Sequence, residues 1–360
     1  MIRTMMKGLS LAAMLLAAGG GQAGAVDFSG KHVDVIIPYT EGGGSTFYIR
    51  LLAPLLQKEL PGNPPIIIRH IPGGGSVKGI NQFQQDAKPD GQMVGQIGVG
   101  TFLNYILQDP AVAYDLPKFQ AFLTSPFGAV VYGRKDIGLT GDAAADVKHL
   151  TTMTPIYGGD GPTASDLPIL LSLDLLGVKM KTIFGMGNSE SRGAFERGEF
   201  NIKFDNMASW SNAIVPMIKE GTVVPLFTLG FQDASGKIVR DPLAPEVPTF
   251  LEVYEKVKGK KLEGLEYDIW KTLFNIRVMG SKMLVLPAGT SPEIVKAFAD
   301  ATARVMKAPE LQTPEAKGVL GDYPQSTGDA AAAVLKGASV MTDDERKWLK
   351  SWLSEKYGVK

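Results

Sequence analysis

The chain has 360 residues, 44% of them hydrophobic and 21% charged, which excludes a disordered polymer and leaves room for two packed domains. Lys+Arg and Asp+Glu number 37 each, so the basic surplus that a nucleic-acid binder uses is missing and no nucleic-acid partner is expected. The chain has no cysteine, which excludes disulfides, thiol catalysis and a lipid-modified cysteine, and leaves stability to the size of the core.

The N-terminus carries an export pattern. Arg3 and Lys7 are basic, the apolar run Leu9 to Ala18 is too short to cross a bilayer, and Ala23-Gly24-Ala25 fits a small-x-small cleavage site. Residues 1–25 are expected to be a signal peptide cut near Ala25, leaving a soluble mature chain from Val26. Next, Val33, Val35, Ile36 and Ile37 predict a strand ended by Pro38. Gly42, Gly43 and Gly44 follow, and Ser45 and Thr46 stand as hydroxyl caps ahead of a helical pattern of Phe47, Leu51, Leu52 and Leu55. The first turn of a helix has four N–H groups without intrahelical partners, and glycine lets an anion approach them closely. An ordinary β–α turn would show the same residues.

Further along, strand-like runs alternate with helical patterns, the signature of an α/β fold with mostly parallel strands. Ile66 to Arg69 is a strand that leads into Gly73-Gly74-Gly75-Ser76 and a helix over Val77 to Asp86. Pro89-Asp90-Gly91 turns into a strand from Met93 to Ile97, followed by Gly98-Val99-Gly100-Thr101. A strand from Ala129 opens a second domain, with strands at Thr154 to Tyr157, Lys181 to Phe184, Asn201 to Phe204 and Val223 to Leu229. Between them lie the loop Gly158 to Thr163, a helix over Ala164 to Leu176, the loop Gly185 to Ser189 and a charged helix over Glu190 to Arg197. Gln232 to Pro248, rich in Pro, Asp and Gly, reads as a connector, and Tyr254 to Lys261 as a solvated helix end. Ser291 to Met306 and Asp343 to Tyr357 are amphipathic helices.

Enzyme motifs are missing from the sequence. His32, His70 and His149 have no metal-ligand spacing, no G-x-S-x-G elbow occurs, and GGSVKG at Gly74 lacks the Gly-Lys-Ser/Thr of a phosphate loop. No metal and no cofactor is expected. What recurs is one device: five loops after strands, built from Gly, Ser, Thr or Asn. They are Thr40–Thr46, Gly73–Ser76, Gly98–Thr101, Gly158–Thr163 and Gly187–Ser189. In open α/β sheets, ligands sit at the carboxyl ends of strands, so these loops predict a cleft of backbone N–H groups and hydroxyls suited to a carboxylate with few or no arginines. The candidate contacts are Tyr39, Thr40, Gly42, Gly43, Gly44, Ser45, Thr46, Gly98, Gly100, Thr101, Gly161, Thr163, Gly187, Asn188 and Ser189. Arg197 is expected to pair with Glu196 or Glu199, while Arg192 has the better reach toward a ligand.

The chain resembles the extracytoplasmic solute receptors of tripartite tricarboxylate transporters, the Bug or TctC-like family. The family's P-[FY]-x-x-G-G-x-x-D-x-x-x-R is matched by Pro38-Tyr39-Thr40-Glu41-Gly42-Gly43-Gly44-Ser45-Thr46 through Arg50. Pro72-Gly73-Gly74-Gly75 through Gly79, and Pro89-Asp90-Gly91-Gln92, match its next two motifs less fully. Gly187, Gly198, Phe204-Asp205-Asn206, Val247-Pro248-Thr249 and Leu286-Pro287-Ala288-Gly289-Thr290 continue the order, over about residues 30 to 310.

The resemblance implies a two-domain periplasmic binding protein of the type II, Venus-flytrap kind, closing on one small carboxylate between its domains. Residues 26–127 with 231–360 would form the first domain and 128–230 the second. The loops Tyr39–Thr46 and Gly187–Ser189 would grip the ligand from opposite sides, and Asp205 joins the candidate contacts through its F-D-N match. The implied role is a monomeric, non-enzymatic receptor in the periplasm that delivers its ligand to membrane permease subunits. A receptor for a signalling partner and an exported enzyme on the same fold are the alternatives. Two positions depart from the family. Thr46 replaces an Asp, which disfavours an amine-bearing ligand, and Asp166 puts an acid near the site unless it faces away.

Overall fold

Val- and Ile-rich runs punctuated by Pro and Gly build two mixed sheets in the computed structural model, which describes residues 26–42 and 44–359. The proposed signal peptide and Gly43 lie outside the described residues. The strands are β1 (Val33–Ile37), β2 (Ile66–His70), β3 (Met93–Gly98), β4 (Gln120–Ser125), β5 (Ala129–Arg134), β6 (Ile156–Gly158), β7 (Lys181–Ile183), β8 (Ile202–Asn206), β9 (Val223–Thr228), β10 (Phe231–Gln232), β11 (Ile238–Val239), β12 (Lys282–Leu286) and β13 (Ser326–Thr327). One sheet has the order β13-β4-β12-β3-β1-β2, a second β7-β6-β8-β5-β9, and β10 and β11 make a small hairpin. The chain passes from the first sheet to the second between Ser125 and Ala129.

The strands are not mostly parallel. β1 runs parallel to β2 and β3, and β6 to β7 and β8. Both β12 and β13 enter the first sheet antiparallel from far down the chain, and β5 is antiparallel to β8 and β9. Local periodicity shows that a strand exists, not where a distant segment inserts it.

Alternation along β1 sorts its side chains. Val33, Val35 and Ile37 join the cluster under the helices Gly44–Glu59 and Pro292–Val305, while Ile36 packs on the opposite face. The segment after residue 230, assigned above to the first domain, is divided between the sheets. β12, β13 and the helix Pro292–Val305 complete the first sheet's packing. The helix Leu265–Phe274 turns instead to the second sheet's helix Leu167–Leu176, where Trp270 Nε1 donates to Ser172 Oγ at 2.9 Å. The C-terminal helix Asp343–Tyr357 does the same, with Trp352 Nε1 donating to Asp174 at 2.8 Å. Among the described residues, no helix is long and apolar enough to cross a membrane.

One buried acid ties the connector to the C-terminal segment. Asp241 is fully buried, its carboxylate accepts from the Tyr323 hydroxyl at 2.9 and 2.8 Å, and the Leu243 N–H donates to it at 3.0 Å. Gly128 makes room, since a Cβ there would lie 2.0 Å from Asp241 Oδ2. Burial pushes the carboxyl up to about 6, against an ordinary 3.8. The folded state therefore binds this proton more tightly than the unfolded state, and its stabilising effect is complete below pH 4 and lost as pH rises through 6. Removing the titration with Asp241→Asn should shift the stability gap in the variant's favour by roughly 2 kcal/mol between pH 4 and pH 7.5. Urea titrations at the two pH values measure that gap, and a gap independent of pH would contradict the assignment.

Candidate functional site

A cavity of about 860 Å³ opens where loops from both sheets meet. After β1 the chain contributes Tyr39, Thr40, Gly44 and Ser45, after β2 Gly74 and Gly75, and after β3 Gly100 and Asn104. The second sheet supplies Asp160 and Thr163 after β6 and Asn206 and Ala208 at and beyond the end of β8. These are the carboxyl ends of the parallel strands, where open α/β sheets hold ligands. Among the described residues, no group of three His, Cys, Asp or Glu is placed to hold a metal.

The structure brings six of the candidate contacts to the cavity wall: Tyr39, Thr40, Gly44, Ser45, Gly100 and Thr163. Thr46 is not among them. The buried stripe of the helix Gly44–Glu59 runs through Thr46, Tyr48, Ile49, Leu52, Leu55 and Leu56, whereas Phe47 is 52% exposed. Thr46 Oγ1 accepts from the Gly42 N–H at 3.1 Å, so this residue holds the loop from inside instead of capping the helix toward a ligand. Thr46 therefore ties the loop and presents no side chain to the cavity. His70 also braces the loop, its Nδ1 donating to the Tyr39 carbonyl at 3.0 Å.

Gly98, Gly100 and Thr101, read as a loop, lie at the start of the helix Val99–Ile106. A Cβ on Gly100 would stand 2.7 Å from the Gly75 carbonyl oxygen, so glycine is what lets this helix press against the Gly74–Ser76 turn. Thr101 is buried with its hydroxyl 2.9 Å from Ser76 Oγ; burial pushes the Tyr39 phenol up, and these two hydroxyls partly oppose the shift. Gly161 is held by Asp166, whose Oδ2 accepts from the N–H groups of Asp160 and Gly161 at 3.2 and 3.4 Å. Asp166 Oδ1 accepts from the Tyr157 hydroxyl at 2.7 Å, and burial pushes the acid up. It faces inward, away from the cavity.

Gly187, Asn188, Ser189 and Asp205 do not line the cavity. Gly187 and Ser189 are exposed at the start of the helix Asn188–Glu196. Asp205 is fully buried and accepts from Arg192 Nε at 2.9 Å, Arg192 Nη2 at 2.7 Å, the Tyr132 hydroxyl at 2.8 Å and Asn188 Nδ2 at 2.8 Å. These four donors saturate its oxygens. Lys203, also buried, donates to Asn188 Oδ1 and Ser191 Oγ at 2.8 and 2.7 Å, and burial pushes it down to about 8. Arg192 is thereby committed to the fold, and its bond to Asp205 holds it above the ordinary guanidinium value. Arg197 pairs with Glu199 at 2.7 Å, one of its two expected partners.

Sequence reasoning missed two cations. Arg277 and Lys282 both line the cavity, and neither has an ion-pair partner among the described residues. Arg277 is 1% exposed, donates to the Phe127 carbonyl at 3.3 Å and to Asn206 Oδ1, and has an Nε without a partner. Lys282 Nζ stands 4.4 Å from the centre of the Phe127 ring and 5.6 Å from that of Tyr48. The only hint in the sequence is a pair of basic residues just ahead of the apolar run Met283 to Leu286.

No family model matches the chain. A UPF0065 protein in the gbd 5′ region of Cupriavidus necator is 28% identical over 324 residues, spanning 87% of this chain and 86% of that protein. A TctC solute-binding protein from Polaromonas superposes with a TM-score of 0.66 at 19% identity, over 91% of this chain and 99% of that one. MatC from Rhodopseudomonas palustris, solved with bound malate, superposes with a TM-score of 0.57 at 21% identity, over 90% and 99% of the two chains. The architecture is that of the two-sheet periplasmic binding proteins.

Proposed function

We propose that this chain, which resembles the TctC- and Bug-type solute receptors in both motif order and fold, captures a small organic carboxylate in the periplasm for a tripartite tricarboxylate-type permease. The observation that carries the reading is a cavity, walled by loops of both sheets, in which Arg277 and Lys282 stand without an ion-pair partner among the described residues. Removing two cations from bulk water without pairing them is unfavourable, and an incoming carboxylate offsets that cost in a medium of reduced dielectric. At about 860 Å³ the cavity falls within the range for small-molecule sites. In this reading the two sheets belong to two lobes that close on the ligand, and the chain works as a monomer that binds without turnover.

A thermal-shift screen of the mature chain tests it. Malate, succinate, citrate, benzoate, aspartate and a neutral sugar would each be added in large excess. A carboxylate present at 100 times its dissociation constant stabilises the folded state by about 2.7 kcal/mol, a shift of several degrees. A melt that moves with the sugar and with none of the acids would remove the anion reading.

A further inference from the structure

Phe127 lies in the short stretch where the chain leaves the first sheet for the second, and the two unpaired cations flank it. The Lys282 ammonium packs on its ring, and the Arg277 guanidinium donates to its carbonyl. We propose that this pair is the seat of the ligand's carboxylate, so that side-chain charge and not the glycine-loop amides selects the anion, and that the ligand carries no ammonium group beside that carboxylate. The inference rests on the solute-binding reading and deepens it by naming the seat.

Three observations support it. The first concerns the amides, because several that the glycine loops offer are already in use. Gly42 donates to Thr46, while Asp160 and Gly161 donate to Asp166. Those bonds shape the cavity wall but leave these N–H groups unavailable to a ligand. The second is the unmet bonding capacity at the seat, where Arg277 Nε is buried without an acceptor. Among the described residues, Lys282 Nζ donates no hydrogen bond and has only the rings of Phe127 and Tyr48 beside it. The aromatic faces of Phe127 and Tyr48 give its ammonium some compensation but leave its donors free.

The third is electrostatic. Burial and the neighbouring Arg277 push Lys282 down to about 8. The charged and titratable groups around it are Arg277, Tyr48, and Tyr39, whose hydroxyl lies near Gly98, the strand partner of Lys282. Asp109 and Asp160 also line the cavity, but neither pairs with either cation. A carboxylate placed here restores the charged form of Lys282, so binding takes up a proton near pH 8 and weakens as pH rises further. A ligand ammonium beside the carboxylate would meet two like charges instead.

Isothermal titration of the mature chain with malate, succinate and benzoate, and with aspartate as the ammonium-bearing counterpart of succinate, tests the seat. For whichever acid binds, affinity should fall several-fold between pH 7.5 and pH 9, with proton uptake at pH 8 seen as a buffer-dependent heat. Lys282→Gln should weaken binding at least 30-fold and abolish that uptake. Lys282→Arg should stay within a few-fold of wild type and lose the pH dependence. Aspartate should bind at least tenfold more weakly than succinate. If an acid binds but Lys282→Gln leaves its affinity intact, or the wild-type pH profile is flat, the seat lies elsewhere while the solute-binding reading stands. Equal affinity for aspartate and succinate overturns the ammonium clause. If none of these acids binds at millimolar concentration, the carboxylate reading itself fails. The wild-type profile needs no variant, so misfolding of a mutant would not shield the proposal.

Discussion

Asp205→Ala should destabilise the protein by about 3–5 kcal/mol, because it removes one partner of a buried ion pair and leaves the other uncompensated. The carboxylate sits on β8, between β6 and β5 in the second sheet, and has no exposed surface. Deleting it strands the Arg192 guanidinium, which has only Ser209 Oγ left at 2.7 Å, and also the donors of Tyr132 and Asn188. Lys203 would lose an attractive charge while keeping its burial, and would shed its proton more readily. Asp205→Asn keeps an acceptor but turns an amide toward a donor, so a smaller loss is expected. The double change Asp205→Leu with Arg192→Met should recover much of it, since a well-packed apolar replacement of a buried pair is often neutral or better. Urea unfolding compares the series. A loss below 1 kcal/mol for the alanine variant would mean that water already screens this network. Succinate or malate titrated into folded Asp205→Asn should bind as they do to wild type, because Asp205 does not line the cavity.

Asp205 shows why part of the site was legible in the sequence and part was not. Ile202-Lys203-Phe204-Asp205 alternates apolar and polar, the pattern of a strand with one wet face. Both faces are buried, because the helix Asn188–Glu196 covers the polar one and brings Arg192 and Asn188 onto it. A polar residue in a ligand-loop motif thus looks the same in sequence whether it meets a solute or a guanidinium. Similarly, the residues after Ile37 read as a strand-to-helix turn, and the structure starts a helix at Gly44 beside the cavity. Which way Thr46 points depends on the helix phase, and that is set by Tyr48, Ile49 and Leu52 packing inward and not by Phe47. The glycine loops after β1 and β2 were readable because Gly42, Gly73, Gly74 and Gly75 take positive φ, a local backbone demand, whereas after β6 Gly158 and Gly159 are required by the distant Phe200 and by Asp166. The cations were not, because Arg277 meets Phe127 across 150 positions of sequence and Lys282 reaches the cavity only once β12 has inserted between β3 and β4.

Arg277→Met should separate folding from capture more sharply than any other change. In the unliganded protein the guanidinium is a burden, since it is nearly fully buried, lacks a carboxylate partner, and is pushed by burial down to about 10. A methionine of similar length removes that desolvation cost and the orphaned Nε. In return, the Phe127 carbonyl and Asn206 Oδ1 each lose a donor, a penalty of about 1–3 kcal/mol per group that stays buried and unsatisfied. Because Asn206 is only half-buried at the cavity wall, water can replace its donor. The two effects should nearly cancel, so the variant without ligand should melt within a few degrees of wild type or above it. Its affinity for the carboxylate found in the thermal screen should fall by about 100-fold, because a charge-assisted bond to a desolvated guanidinium contributes on the order of 2–3 kcal/mol. Paired thermal melts and titrations decide between this and the alternative. Should the variant lose several kcal/mol and still bind as tightly, Arg277 would be a strap joining β8 to the crossover at Phe127. Should it keep its melt and lose its ligand, the protein holds an unsatisfied cation in place for the solute that will neutralise it.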